Sequence, residues 1–376
     1  MNTLFTSRTS LRLVLVGAGL LFGVTACQIA VPPAAPPTNP VPAATAPPPP
    51  PATPAVVVVP TPTPAPVPTA APAPAPGAAF AAYAPKAALY GRLRSVGSDT
   101  MNEVLPLWEK EFRLFHPSMR FYCEGKGSST AMPALLEGRS DVGPMSRPPK
   151  DSEVAAFEAK FQYKPTLFRV AVDALAVYVH PSNPLARQGL DFTQLDAVFS
   201  STRTRGGKDD IVTWGQLGLT GEWANAPIRL YGRNSASGTN AFFLEHVLGK
   251  GGKYKTSVRE MVGSAELVQA VAQDRHAIGY SGIAYSSDAV AALPLSPAPG
   301  QPAVPANEEQ AHSGAYPLAR HLYLVLNLRP HAALLPLQEE WLRFVYSREG
   351  QECVRRSGFF SITPEVAAAE LRQVGK

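Results

Sequence analysis

Beyond Leu89 the sequence predicts an α/β fold with mainly parallel strands, divided into two lobes. Two observations carry that reading. Short apolar runs alternate with stretches whose apolar residues recur at helical spacing, the pattern of strands followed by covering helices. The patterned region is about 290 residues long, more than a single hydrophobic core usually serves. A third observation points to a site: three hydroxyl-rich turns each lead into a helix.

Taken in order, the strand candidates are Leu93 to Val96, Arg120 to Cys123, Leu167 to Val179, Ile228 to Tyr231, Ala277 to Tyr280 and His321 to Asn327. The helix candidates between them are Asp151 to Tyr163, Thr193 to Phe199, Asn240 to Leu248, Ser264 to Asp274 and Leu335 to Tyr346. Met101, Val104, Leu105, Trp108, Phe112 and Phe115 add an earlier helical stripe. Pro106 sits awkwardly in that stripe, so a kink or a shorter helix is expected there. Trp341, Leu342 and Val345 share a face of the last candidate, whose pattern Gly350 ends.

The first 86 residues do not read as globular. Arg8 and Arg12 precede an apolar run from Leu13 to Val24, too short for a membrane span, so residues 1–26 read as a signal peptide. Val24-Thr-Ala-Cys27 resembles a bacterial lipobox, which makes Cys27 the lipidated residue and the lipid bilayer a partner through an acyl (palmitate-type) anchor. Gln28 after it points by the same resemblance to the outer membrane. Residues 27–86 are Pro/Ala-rich, with 21 of the chain's 40 prolines between Pro32 and Pro85, so they read as an extended stalk. The first 86 residues hold three of the 34 basic and none of the 29 acidic residues. The remainder therefore carries 31 against 29, a net of +2, and the basic pI is no argument for nucleic acid.

Cys123 and Cys353 are left; pairing and separate thiols are both open. The seven histidines show no metal-ligand spacing, so neither a metal nor a cofactor is expected.

The chemistry concentrates in the turns. Tyr231-Gly-Arg-Asn-Ser-Ala-Ser-Gly-Thr-Asn240 reads as strand end, turn and helix start. Its first helical N–H groups lack internal partners, and Arg233, Ser237 and Thr239 add a guanidinium and two hydroxyls, the parts of an oxyanion site. Ser95-Val-Gly-Ser-Asp-Thr-Met101 and Gly125-Lys-Gly-Ser-Ser-Thr130 repeat the design. Each alone is an ordinary N-cap. Three together with an Arg suggest one converging site.

With "VGSDTM", "GKGSSTAMPALLEGRSDVGPMSR", "FTQLDAVFSSTRTRGGKDDIVTW", "YGRNSASGT" and "AIGYSGIAY" in this order, the region from Leu89 onward resembles the phosphate-binding proteins of bacterial ABC transporters. These are a branch of the type II periplasmic binding-protein superfamily. The resemblance implies two lobes joined by two crossover strands, near Ala171 to Val177 and His321 to Val325, with phosphate in the cleft between them. Residues 87–174 and 321–376 would form one lobe and 175–320 the other. It further implies ligand contacts from Thr100, the backbone at Met101, Ser128, Arg233, Ser237, Gly238 and Thr239, with Asp141 as the buried carboxylate facing the phosphate. Thr130 and Ala131 stand where some relatives have a Gly pair, and Met101 where some have Phe. The implied setting is a monomeric, lipid-anchored envelope protein that serves phosphate uptake or sensing with an ABC permease.

The ligand's chemistry fits that reading. Phosphate near neutrality is largely a dianion that keeps one proton, and only an acceptor such as Asp141 can take it. Sulfate has no proton to give, so a carboxylate in a dehydrated site rejects it. Arsenate shares phosphate's shape and proton and is not separated from it. The alternatives are a phosphatase-like enzyme of the same fold, another oxyanion as ligand, and a surface scaffold. Against an enzyme stand the missing Gly-x-Ser-x-Gly elbow, metal cluster and P-loop, and no His near the Ser turns.

Overall fold

The computed structural model describes residues 79–375. Cys27, the signal peptide over residues 1–26 and nearly all of the proposed stalk lie outside those residues. β1 (Gly91–Gly97) and β2 (Met119–Gly125) pair in parallel, and a parallel bridge between Ser95 and Val142 leads into β3 (Gly143–Met145). There follow β4 (Thr166–Val179), β5 (Leu190–Asp191), β6 (Arg229–Arg233), β7 (Arg259–Met261) and β8 (Ala277–Gly282). β9 (Ala291–Ala292), β10 (Leu295–Ser296) and β11 (Ala319–Leu326) complete the strands.

One sheet runs in the order β3, β11, β4, β8, β6, β7, with β9 added to β4. β6 is parallel to β7 and β8, whereas β4 is antiparallel to β11, β8 and β9. The sheet is therefore mixed rather than mainly parallel. The reason is topological: one strand leaves a lobe and another returns to it, and neighbours that run in opposite senses must pair antiparallel.

Three hydrophobic cores share β4, the third taking Ala176 and Tyr178 with Tyr231 and Val271. Phe168, Val170 and Val172 pack with Trp108, Phe112, Trp341 and Leu342 in the first. Ala174, Leu175, Val177 and Val179 pack with Phe199, Trp214 and Phe243 in the second. The chain makes the same passage at β11, with Leu318 just ahead of the strand in the second core and Leu322, Leu324 and Leu326 in the first. Asp173 on β4 and Arg320 on β11 stand where each strand changes cores, and they are register partners. Residues Val170 through Val179 are all buried, which fits a strand covered on both faces.

Local sequence accounts for the helices that carry the turns. Helix Val104–Phe115 follows a 3-10 turn over Asp99–Asn102. Pro106 falls in its first turn, where its missing N–H would have had no helical acceptor, so the helix starts later than the apolar stripe suggests. Ser128–Thr130 and Ala131–Leu136 repeat the arrangement with Pro133. Gly238–Phe243 runs into a π-helical turn, Leu244–Leu248, that ends at Gly249 with φ +76°. Gly350, read as a stop, lies inside helix Arg348–Arg356. A Cβ there would come within 2.1 Å of the Phe344 carbonyl oxygen, so this glycine serves close packing instead.

Packing also begins earlier than the proposed end of the stalk at residue 86. Phe80 packs against the first core and Tyr83 lies within it. The Tyr83 hydroxyl is 2.7 Å from both His116 Nε2 and Glu340 Oε2, and Arg348 N–H donates to the Ala81 carbonyl. Aromatic residues end the Pro/Ala pattern and supply apolar area that proline and alanine lack. Cys123 is exposed and Cys353 buried, and both are free thiols.

Candidate functional site

Thr100 Oγ1, from the 3-10 turn after β1, lies 3.0 Å from Thr239 Oγ1, from the turn after β6, and both are fully buried. One residue before Thr239, Gly238 backs onto a second pair of hydroxyls. Ser128 Oγ is 3.2 Å from Ser146 Oγ and accepts the Ser146 N–H at 3.0 Å. A Cβ on Gly238 would come within 2.2 Å of Ser128 Oγ and 2.5 Å of Ser146 Oγ. Only a glycine lets the turn approach so closely. Gly127, at φ +110°, plays the same part opposite: the Ser129 N–H after it donates to the Ala236 carbonyl at 3.1 Å. Four buried hydroxyls thus converge from elements anchored in different cores.

Ser237 caps helix Gly238–Phe243, its Oγ accepting from the N–H groups of Thr239 at 3.1 Å and Asn240 at 3.4 Å. Two of the amides that the sequence reading left for an anion are therefore satisfied by the chain itself. The Met101 side chain is buried in the first core.

Arg233 is buried, and each of its three nitrogens has a partner. Nε donates to Met261 O at 3.3 Å, Nη1 to Ser264 Oγ at 2.6 Å and Nη2 to Val262 O at 2.6 Å. Nη2 also lies 2.7 Å from Asp99 Oδ2, which accepts the Ser264 hydroxyl at 2.9 Å. This ion pair joins the turn after β1 to the end of β6. The Tyr285 hydroxyl reinforces it by donating to the carbonyls of Asp99 at 2.9 Å and Thr100 at 3.0 Å. Burial first, and then the Asp99 charge, push the Tyr285 pKa far above its ordinary value, so it remains a donor.

Asp141 is not among these residues. Its Oδ2 accepts the backbone N–H of Arg94 at 2.8 Å and Arg94 Nε at 3.1 Å, and its Oδ1 accepts Arg94 Nη2 at 2.6 Å. The pair is partly solvent-exposed. Alternation across Arg94 explains this placement: Leu93 and Ser95 on either side of it are buried while Arg94 reaches toward the surface, and Asp141 follows Arg94.

The carboxylate that does stand in the cluster is Asp99, whose Oδ1 is buried with no partner, as is Ser98 Oγ. A buried polar atom without a partner is costly, and native proteins keep few of them. Three further residues of the cluster escaped the sequence reading. Ser146 and Asp99 lie inside the hydroxyl-rich motifs without a distinguishing local signal, and Arg320 lies just before the strand expected from His321. Arg320 Nε and Nη2 donate to Asp173 Oδ2 at 2.9 and 2.7 Å, and Nη2 also donates to Thr239 Oγ1 at 2.9 Å. A cavity of about 810 Å³, lined by Arg147, Ala241, Phe242, Arg320, His321 and others, flanks the cluster without including the hydroxyls.

Two lobes, two crossing strands and a set of buried anion-compatible donors between them define a substrate-binding protein of the periplasmic type. Residues 82–349 match the family described as PBP superfamily domain. Phosphate-binding protein PstS of Pseudomonas aeruginosa is 44% identical over 297 residues, covering 79% of this chain and 91% of that protein. A solved structure of a putative phosphate ABC transporter substrate-binding protein with bound phosphate, from Clostridium perfringens, aligns with TM-score 0.60 at 24% identity. That alignment covers 73% of this chain and 100% of the other. An ABC-type phosphate transport receptor from Vibrio cholerae aligns with TM-score 0.55 at 19% identity, over 72% and 100%. The chain belongs to the PstS-type family of phosphate-binding proteins, with the type II periplasmic binding-protein fold.

Proposed function

We propose that this chain captures inorganic phosphate between its lobes and delivers it to an ABC permease. The observation that carries the reading is the convergence of Thr100, Ser128, Ser146 and Thr239 hydroxyls beside buried guanidinium and carboxylate atoms without protein partners. Hydroxyls reorient to donate to an oxyanion or accept from its proton. Charge-assisted hydrogen bonds contribute about 1.5–3 kcal/mol each, and micromolar affinity needs about 8 kcal/mol, so a few suffice. Asp99 Oδ1, rather than Asp141, takes the phosphate proton. Arg233 holds Asp99 in place and ties the lobes together. Backbone groups near Met101 and Gly238 line the same cleft.

The protein works in the cell envelope as a monomer held through lipid on Cys27, with the Pro/Ala-rich segment as tether. It binds its ligand and does not turn it over. Among the described residues no helix is long and apolar enough to cross a membrane.

Calorimetry with phosphate, sulfate and a phosphomonoester tests this. Tight phosphate binding, sulfate at least about 100-fold weaker and no release of phosphate from the ester are expected. Asp99→Asn should raise sulfate binding relative to phosphate, because an amide donor replaces an acceptor, while Asp141→Asn should leave the ratio as it is. Ester turnover, or a ratio that responds to Asp141 and not to Asp99, would sink the assignment.

A further inference from the structure

We propose that Arg320, on the second crossing strand, is the cation that grips the bound oxyanion, and that through Asp173 it makes the hinge strands part of the binding site. The inference rests on the phosphate reading above and adds to it the residue that carries the charge.

Arg233, the guanidinium singled out by the sequence, has every nitrogen engaged by Met261, Val262, Ser264 and Asp99. Arg320 is built differently. Its side chain is 3% exposed, Asp173 takes Nε and Nη2, and Nη1 has no partner at all. An unpartnered guanidinium nitrogen at that burial forfeits both its hydration and a charge-assisted hydrogen bond. An anion among the hydroxyls supplies that hydrogen bond and so compensates the lost hydration. The placement agrees, because Nη2 donates to Thr239 Oγ1, itself 3.0 Å from Thr100 Oγ1, so the guanidinium touches the hydroxyl cluster directly. The face of Phe242 lies 5.2 Å from Arg320 Cζ and limits its rotation.

Arg147 is the other buried cation nearby. Its Nε is likewise buried without a partner, but it spends Nη1 and Nη2 on Glu153, with Nη2 also reaching Ser129, and touches none of the four hydroxyls.

Asp173 accepts from Arg320 through Oδ2 and from the Ile283 N–H, at 3.1 Å, through Oδ1. The carboxylate therefore fixes the guanidinium to β4 and to the segment after β8 together. An anion held on Arg320 is coupled to both crossing strands at the point where each changes cores. This gives the ligand a direct hold on the hinge rather than only on the faces that close.

The test is titration of the full-length protein with phosphate, arsenate and sulfate, followed by the same measurement on variants with whichever anion the parent binds best. Arg320→Gln should weaken binding at least about 100-fold. Because that change leaves Asp173 buried and unpaired, the paired replacement Arg320→Gln with Asp173→Asn restores a neutral, hydrogen-bonded hinge and keeps the thermal midpoint near the parent's. It should lose affinity as severely as the single variant. Arg320→Lys, which keeps the charge but not the fork, should recover part of it. Affinity within threefold of the parent in the paired replacement would overturn the role of Arg320 while leaving phosphate binding intact. A parent that binds none of the three anions would overturn both readings.

Discussion

Gly238 shows how tightly one position can set a binding site. Its missing side chain lets the turn after β6 meet Ser128 and Ser146, and a Cβ would stand 2.2 and 2.5 Å from their oxygens. Gly238→Ala should therefore hold the lobes apart with little cost to either core. We expect phosphate affinity to fall by about two orders of magnitude, from about 3 kcal/mol of lost or strained contacts, while the thermal midpoint without ligand moves little. Calorimetry and differential scanning on the same sample check both. The two aspartates make a complementary point. Asp141 sits in an ion pair with Arg94 that is about a third exposed, so breaking it should cost at most about 1 kcal/mol of stability in chemical denaturation.

Among the elements, the segment from Phe80 to Lys86 has a role that its composition hides. Leu89 N–H donates to His116 Nδ1 at 3.3 Å, which leaves Nε2 to carry the proton and donate to the Tyr83 oxygen, while the Tyr83 O–H donates to Glu340. Neutral imidazole satisfies every member of this chain, and protonation at Nδ1 would break the bond from Leu89. Burial accordingly lowers the His116 pKa, against the opposing pull of Glu340. Below the unfolded histidine value of about 6.5 the unfolded chain binds more protons than the native one, so stability rises with pH through that window and levels off above it. Urea midpoints between pH 5 and 7.5 should show this slope, and His116→Gln should flatten it. Tyr83→Phe should cost about 1–3 kcal/mol by leaving His116 and Glu340 each one partner short, with phosphate affinity unchanged.

For the molecule as a whole, the proposed capture of phosphate works through the contacts that join the two lobes. The buried Asp99–Arg233 pair, the Thr100–Thr239 contact and the Ser129–Ala236 hydrogen bond all join elements from different lobes. The two buried ion pairs at the cleft, Asp99 with Arg233 and Asp173 with Arg320, balance formally. On the reading proposed above, the ligand's charge is then met by oriented donors and by Arg320, whose own charge Asp173 already balances, so no excess cation is present. Binding should consequently change by less than about threefold between 50 and 500 mM salt, since buried donors are screened little. A steep salt dependence in calorimetry would instead mark a solvent-open, charge-driven site.

Local chemistry left a clear trace in the chain. Apolar periodicity placed β4, β11 and three of the helices between them, those starting near Phe192, Gly238 and Ser264, within a few residues, because burial of one face imposes the repeat; the short helices Leu185–Gln188 and Glu308–His312 left no such pattern. The three hydroxyl turns were equally legible, since caps and glycine-dependent turns are short-range requirements that local residue types must meet. Motif order pointed to the family for the same reason. Pairing across the chain left no such trace. Asp99 and Asp141 both stand in motifs beside hydroxyls, and only the alternation of β1 sends Asp141 to Arg94 at the surface while Asp99 meets Arg233. Arg320 is an unremarkable residue in a strand until register brings Asp173 opposite and the turn after β6 brings Thr239 within 2.9 Å. Whether a charged group faces water, a partner or a ligand depends on residues 47 to 165 positions away, and only the folded chain brings them together.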